Sequence, residues 1–173
     1  VIVDGESAAT FGAVTIEAAI RDLAALEASC TAAPLLRAGA ETTGTTRNQS
    51  DNLQASCGGG ARSPETLYRV RVRRRSRIVA DLTSGYDAVL YLRSECLDQA
   101  TELVCNDDAQ SGDTSHSHFE AVVDPGTYYL VVDGCGSGAQ GDFSVRYTAT
   151  AARDAVTPPV LTRPQPSPEG HGG

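Results

Sequence analysis

YRVRVRRRSRIVADLT, residues 68–83, decides the fold. Tyr68, Val70 and Val72 fall on one side of an extended chain, and Arg69, Arg71 and Arg73 on the other. Side chains alternate across a strand with a period of two, so this is the pattern of a half-buried strand. The alternation resumes with Ile78, Ala80 and Leu82 directed inward. Working outward, DAVLYLR (87–93) is apolar on both faces, as a central strand would be. HFEAVV (118–123) places Phe119, Ala121 and Val123 on one side, with His116, His118 and Glu120 on the other. GTYYLVVDG (126–134) follows a Pro125-Gly126 turn signal, and DFSVRYTA (142–149) alternates Phe143, Val145, Tyr147 and Ala149 inward. Short strands separated by Gly, Asp and Ser turns, with no helical pattern between them, predict an all-β antiparallel sandwich.

The flanks read differently. Residues 1–29 hold VIVDG, a short candidate strand, and VTIEAAIRDLAALEAS (14–29), with Ile16, Ala19, Ile20, Leu23 and Leu26 at helical spacing. A lone helix of this length is marginal in water, so the stripe Ile16, Ile20 and Leu23 is expected to dock on the sandwich or on another chain. Residues 151–173 carry five of the eight prolines and are expected to form an extended tail. Three segments result: 1–29, a sandwich over 30–150, and a Pro-rich tail over 151–173. A first residue of Val1 rather than Met is expected of a processed product or an excised piece.

Charge narrows the function classes. All 14 basic residues are Arg, against 22 acidic ones, for a formal net charge of -8. That balance argues against nucleic acid as a partner. No apolar run approaches the roughly 20 residues of a membrane helix. Six of the 14 Arg lie between 69 and 77, so Arg69, Arg71 and Arg73 form a local basic stripe on a more acidic body. Such a stripe could grip an anionic polymer or a sulfated glycan, while an outward strand face set against acidic neighbours is the simpler explanation.

Candidate chemistry is sparse. Asn106, Asp107, Asp108 and Asp113 gather hard oxygen donors in a turn-rich loop, a candidate structural Ca²⁺ site, although the EF-hand register fails. Turn chemistry alone also accounts for that loop. His116 and His118 are two apart on one strand face, a spacing that presents two imidazoles without an evident third ligand. Gly136-x-Gly138-x-x-Gly141 copies the dinucleotide motif, but a strand rather than a helix follows it, so a hairpin loop is expected. There is no GxSxG and no HExxH, and the chain is expected not to be an enzyme. Asn48-Gln49-Ser50 is a glycosylation sequon.

Five Cys point to an oxidising compartment and a secreted protein. Cys96 and Cys105 flank LDQATELV and are expected to staple neighbouring strands across a short loop, for about 2–3 kcal/mol.

The stretches SCGGGARSPETLYRV, GYDAVLYLRSEC, ELVCNDD, DPGTYYLVVDG and GDFSV occur in that order. Together, over roughly residues 30–150, they resemble the bacterial pre-peptidase C-terminal domain, in the variant common in secreted proteins of myxobacteria and their relatives. The resemblance implies a jelly-roll-like sandwich that is secreted and non-catalytic, usually appended to proteases and other extracellular enzymes. It also implies a Cys30–Cys57 bridge, with Cys57–Cys135 the rival. One Cys, Cys135 in the first arrangement, is then left as a free thiol or a link between chains. No stretch of these 173 residues reads as a catalytic domain, so none is expected to accompany the sandwich. The expectation is therefore a non-enzymatic structural protein that self-associates through its extensions into an extracellular or cell-surface assembly such as a filament. A protein-, glycan- or cell-wall-binding accessory module is the alternative.

Overall fold

In the computed structural model, the residues described are 22–59 and 63–152. The order of elements is α1 (Leu23–Ala32), β1 (Glu41–Thr45), β2 (Thr66–Val72), β3 (Ser76–Ser84), β4 (Ala88–Arg93), η1 (Gln99–Thr101), β5 (Glu102–Asn106), β6 (His116–Val123), β7 (Gly126–Gly134) and β8 (Asp142–Ala151). The strands form two four-stranded antiparallel sheets, β1-β8-β3-β6 and β2-β7-β4-β5. Every link between consecutive strands crosses from one sheet to the other, except that between β4 and β5. This is the jelly-roll arrangement of an all-β sandwich.

The inward alternation places Val70, Ile78, Ala80, Leu82, Leu90, Leu130 and Val145 in the core between the sheets, all at most 1% exposed. β8 outruns that core, and Ala149, expected inward, is exposed. β1 has no counterpart in the sequence reading, because ETTGT lacks apolar alternation. It can lie at a sheet edge because Gly44 admits the Phe143 ring, which a Cβ there would meet at 2.5 Å.

β4 is buried at all six positions. Ala88, Leu90 and Leu92 face the main core, while Val89 and Tyr91 join Leu53, Ala55 and Val131 in a second cluster on the outer side of their sheet. The segment between β1 and β2 covers that side, so β4 has apolar neighbours on both faces.

Both expected disulfides are corrected. Cys30 bonds Cys96, and Cys57 bonds Cys105. Strand register explains why Cys96 and Cys105 do not meet. Cys105 lies opposite Tyr91, five residues before Cys96, which is carried beyond the end of β4. The bridges instead fasten α1 to the β4–β5 link and the covering segment to β5. They span 66 and 48 residues, and each is worth about 4 kcal/mol by loop-closure entropy.

Helix α1 starts at Leu23, where the Asp22 carboxylate accepts from the amides of Ala24 and Ala25 at 3.0 and 3.4 Å. Leu23 is 60% exposed, and Cys30 is the buried residue of the helix, so the disulfide rather than an apolar stripe holds it. Ile16 and Ile20 lie outside the described residues, as do the VIVDG strand and the tail beyond Ala152.

Candidate functional site

The pairings place the strand ends at two poles. Val72 opposite Gly126 and Ser76 opposite both Val123 and Ala151 mark one; Thr66 opposite Val132, Ala88 opposite Gly134 and Leu90 opposite Asn106 mark the other.

Arginines crowd the first pole. Arg73 leaves the strand and sits with Arg74 and Arg75 in the β2–β3 link, so the stripe expected along one strand is split. Arg69 donates its Nε to the Ala33 carbonyl at 2.8 Å and is half-buried. Arg75 pairs with Asp124 at 3.0 Å, and Arg77 pairs with Glu120. Arg71, Arg73 and Arg74 are exposed and have no carboxylate partner among the described residues.

Carboxylates crowd the second. The link after β5 brings Asp107 to Asp87, which precedes β4, and to Cys135, which follows β7, with Asp108 next to Asp107. A carboxylate oxygen from Asp87, another from Asp107 and the Cys135 sulfur all lie within 4.8 Å of one another. The Cys135 thiol donates to Asp107 Oδ2 at 3.6 Å and lies 3.5 Å from the Gly58 carbonyl, and its amide donates to the Asp87 carbonyl at 2.9 Å. Gly58 can turn its carbonyl there because its φ is +69° and a Cβ would strike Val89 at 2.4 Å. Asp87 Oδ1, Asp107 Oδ1 and Asp108 Oδ1 are buried without a hydrogen-bond partner. Burial, followed by the charges of Asp87 and Asp108, raises the Asp107 carboxyl above its ordinary range. The thiol is pushed up to about 11, first by burial and then by the Asp107 and Asp87 carboxylates. It is therefore protonated and inert at neutral pH. These oxygens are hard donors of the kind Ca²⁺ takes, and the thiol is not.

The four residues grouped from the sequence are divided. Asp107 joins the cluster, while Asp108 stands beside it, its charge felt by Asp107 and its Oδ2 accepting from the Gly112 amide at 3.3 Å. Asn106 instead donates to the Asp108 carbonyl at 3.0 Å and accepts from the His118 amide at 2.8 Å. Asp113 accepts from His116 and Ser115, which hold its carboxyl below its usual range. Asp87, distant in sequence, takes their place because β4 and β5 are paired.

The outer face of the β1-β8-β3-β6 sheet carries a row of polar side chains, Glu41, Arg146, Asp81 and His118, one from each strand in register. His118 Nδ1 lies 2.6 Å from Asp81 Oδ1, and His116 Nδ1 lies 3.0 Å from the Asp113 carboxylate.

Besides Glu102, which pairs with the buried Arg93, two acids in or beside the interior escaped the sequence reading. Asp133, in the apparently apolar LVVDG, is fully buried; it accepts from the Gly134 amide at 2.7 Å and the Tyr91 hydroxyl at 3.4 Å. Burial, with a contribution from Glu65, pushes its carboxyl up to about 8. Glu65 accepts from the Asn52 amide at 2.9 Å, and burial pushes it up to about 7. Only a glance at the register would have paired them: Thr66 faces Val132, so Glu65 and Asp133 sit one step further along. Glu65 also forms part of the wall of a cleft of about 380 Å³ between α1, residues 49–53 and β2.

The Gly136–Gly141 segment is corrected from a hairpin to a sheet-to-sheet crossing, since β7 and β8 belong to different sheets. A strand does follow it, and the dinucleotide motif lacks its helix. The two intramolecular disulfides fit an oxidising compartment, extracellular or periplasmic. Among the described residues, no helix is long and apolar enough to cross a membrane.

No family model matches the chain, and no curated protein does. Solved structures do resemble it in fold. The pre-peptidase C-terminal domain of a collagenase from Bacillus anthracis is 16% identical, with a TM-score of 0.48 over 67% of this chain and 94% of that one. PliG from Aeromonas hydrophila, a periplasmic inhibitor of g-type lysozyme, is 14% identical, with a TM-score of 0.46 over 68% of this chain and 95% of that one. The strand pairing itself makes the chain an all-β sandwich of two four-stranded sheets.

Proposed function

We propose that the chain is a secreted, non-catalytic structural module that associates head to tail with copies of itself, building an extracellular or cell-surface assembly such as a filament. One observation carries this reading: the two poles of the sandwich have opposite charge. Arg71, Arg73 and Arg74 stand unpaired among the described residues at one pole, and Asp87, Asp107 and Asp108 gather at the other. Two different patches of one molecule that complement each other make a heterologous contact, which closes into a ring or propagates as a filament. Opposite charges steer that encounter and set its orientation.

Sedimentation velocity over a range of concentration and salt tests it. Larger species should appear with concentration and dissolve as salt rises, and R71E/R73E/R74E should remain monomeric. A wild-type chain that stays monomeric at high concentration and low salt overturns the reading. Deleting residues 1–21 separates this contact from one made by the N-terminal extension: association should survive the deletion.

The unpaired guanidinium groups also favour a second reading, an accessory module that binds an anionic glycan. Retention on a sulfated polysaccharide matrix by a strictly monomeric chain would select it. For the acidic pole we propose a structural Ca²⁺ held by Asp87, Asp107 and Asp108, because their orphaned oxygens are costly to bury without a cation. An identical Tm in excess calcium and in EDTA would remove it.

A further inference from the structure

The outer face of β6 holds a second arrangement of donors, distinct from the Asp87, Asp107 and Cys135 cluster. A carboxylate oxygen only accepts hydrogen bonds, so the imidazole nitrogen facing it must carry the hydrogen. Asp81 therefore places the proton of a neutral His118 ring on Nδ1, and Asp113 does the same for His116. Each ring is left with a bare lone pair on Nε2. His118 Nε2 faces Glu120 Oε1 at 3.9 Å, so in the neutral ring two acceptors confront each other with no hydrogen between them. The other oxygen of Glu120 is occupied by Arg77.

We propose that His118 Nε2 and Glu120 Oε1 form a two-donor surface site for a divalent transition metal of the zinc type; His116, two residues away on the same strand face, is not within 4.8 Å of both and joins only if its ring turns toward the ion. Zinc binds imidazole nitrogen and carboxylate oxygen at about 2.0–2.2 Å, so donors that now face each other at 3.9 Å need only a small approach to share one ion. Ligating imidazoles characteristically hand their other N–H to a carboxylate, which fixes the tautomer and aims the ring. Asp81 and Asp113 already stand in those positions. The charge balance also favours a cation: Asp81, Asp113 and Glu120 outnumber Arg77 and Arg146, the guanidinium groups of neighbouring strands on this face. Water completes the coordination. These side chains are all at least one-third exposed, so an ion has access to them.

Isothermal titration of the full chain with ZnCl₂ at pH 7.5 tests the site. One zinc per chain is expected. His118→Ala and Glu120→Gln should each weaken binding at least about tenfold, and Asp81→Asn, which removes both the acceptor that orients His118 and one negative charge, by about the same factor. His116→Ala should weaken it less. Asp107→Asn, at the acidic pole, and His171→Ala, in the tail, should leave it unchanged. Unaltered melting curves for these surface variants would show that the fold is kept. Absence of zinc binding, or full affinity in His118→Ala, overturns the proposal, as does loss of binding in Asp107→Asn or His171→Ala.

Discussion

The guanidinium of Arg93 and the carboxylate of Glu102 meet 3.6 Å apart in the interior, their side chains only 1% and 6% exposed. The guanidinium also lies 4.8 Å from the centre of the Tyr91 ring and donates to the Gln54 carbonyl, while Glu102 accepts from the Ser56 amide at 3.2 Å. This pair ties the covering segment to the outer side of β4 and β5. Arg93→Ala leaves Glu102 buried without its counter-charge, at an expected cost of about 3–5 kcal/mol. Replacing both by Met should cost far less, since both desolvated charges vanish together. Urea denaturation of the single and double variants measures the difference.

Stability should fall as pH rises from about 5 to about 8. Glu65 and Asp133 are held as acids in the folded state up to about 7 and about 8, whereas in the unfolded chain they release their protons near their ordinary values of 4.5 and 3.8. The folded state thus binds more protons across this window, and each unit of pH draws stability from it. At about 1.4 kcal/mol for each pH unit and each group, the loss should reach several kcal/mol, read as a decline in Tm. Asp133→Asn should flatten the profile and raise the Tm at pH 8. A Tm that climbs over the same range contradicts this assignment.

Peptide mapping without reductant should recover Cys30 linked to Cys96 and Cys57 linked to Cys105. Serine replacement of either pair should lower stability by about 4 kcal/mol. The Cys57–Cys105 pair should matter most for the segment that covers β4, detected as faster amide exchange at Val89 and Tyr91. A Cys96–Cys105 peptide would contradict the register of β4 and β5.

Cys135 should resist alkylation. Its thiol is pushed up to about 11 by burial and by two carboxylates, so little thiolate exists at pH 7.5. Asp107→Asn removes one of those charges and should speed iodoacetamide labelling several-fold. Labelling of the folded wild type as fast as that of an unfolded cysteine peptide would show that the thiol is neither buried nor perturbed.

Much of the fold was legible because strands announce themselves locally. The alternation of Tyr68, Val70 and Val72, and of Ile78, Ala80 and Leu82, matches the pleat. The run AVLYLR was legible as buried on both faces, although what covers its outer side was not. The site was less legible. Asp107 and Asp108 stood out, but their partner Asp87 lies 20 residues away and reaches them only through strand pairing.

The sequence by itself determined which residues face inward, that the chain is a sandwich, and that an oxidising compartment suits it. Those properties follow from period-two patterning, turn residues and cysteine count, all of them local or compositional. Tertiary structure alone decided which Cys bond, which acids meet, and where the arginines lie relative to them. The reason is the crossing of nearly every strand link between the two sheets, which makes neighbours in space out of residues far apart in sequence. Cys30 and Cys96, Glu65 and Asp133, and Asp81 and His118 all owe their contact or proximity to that crossing.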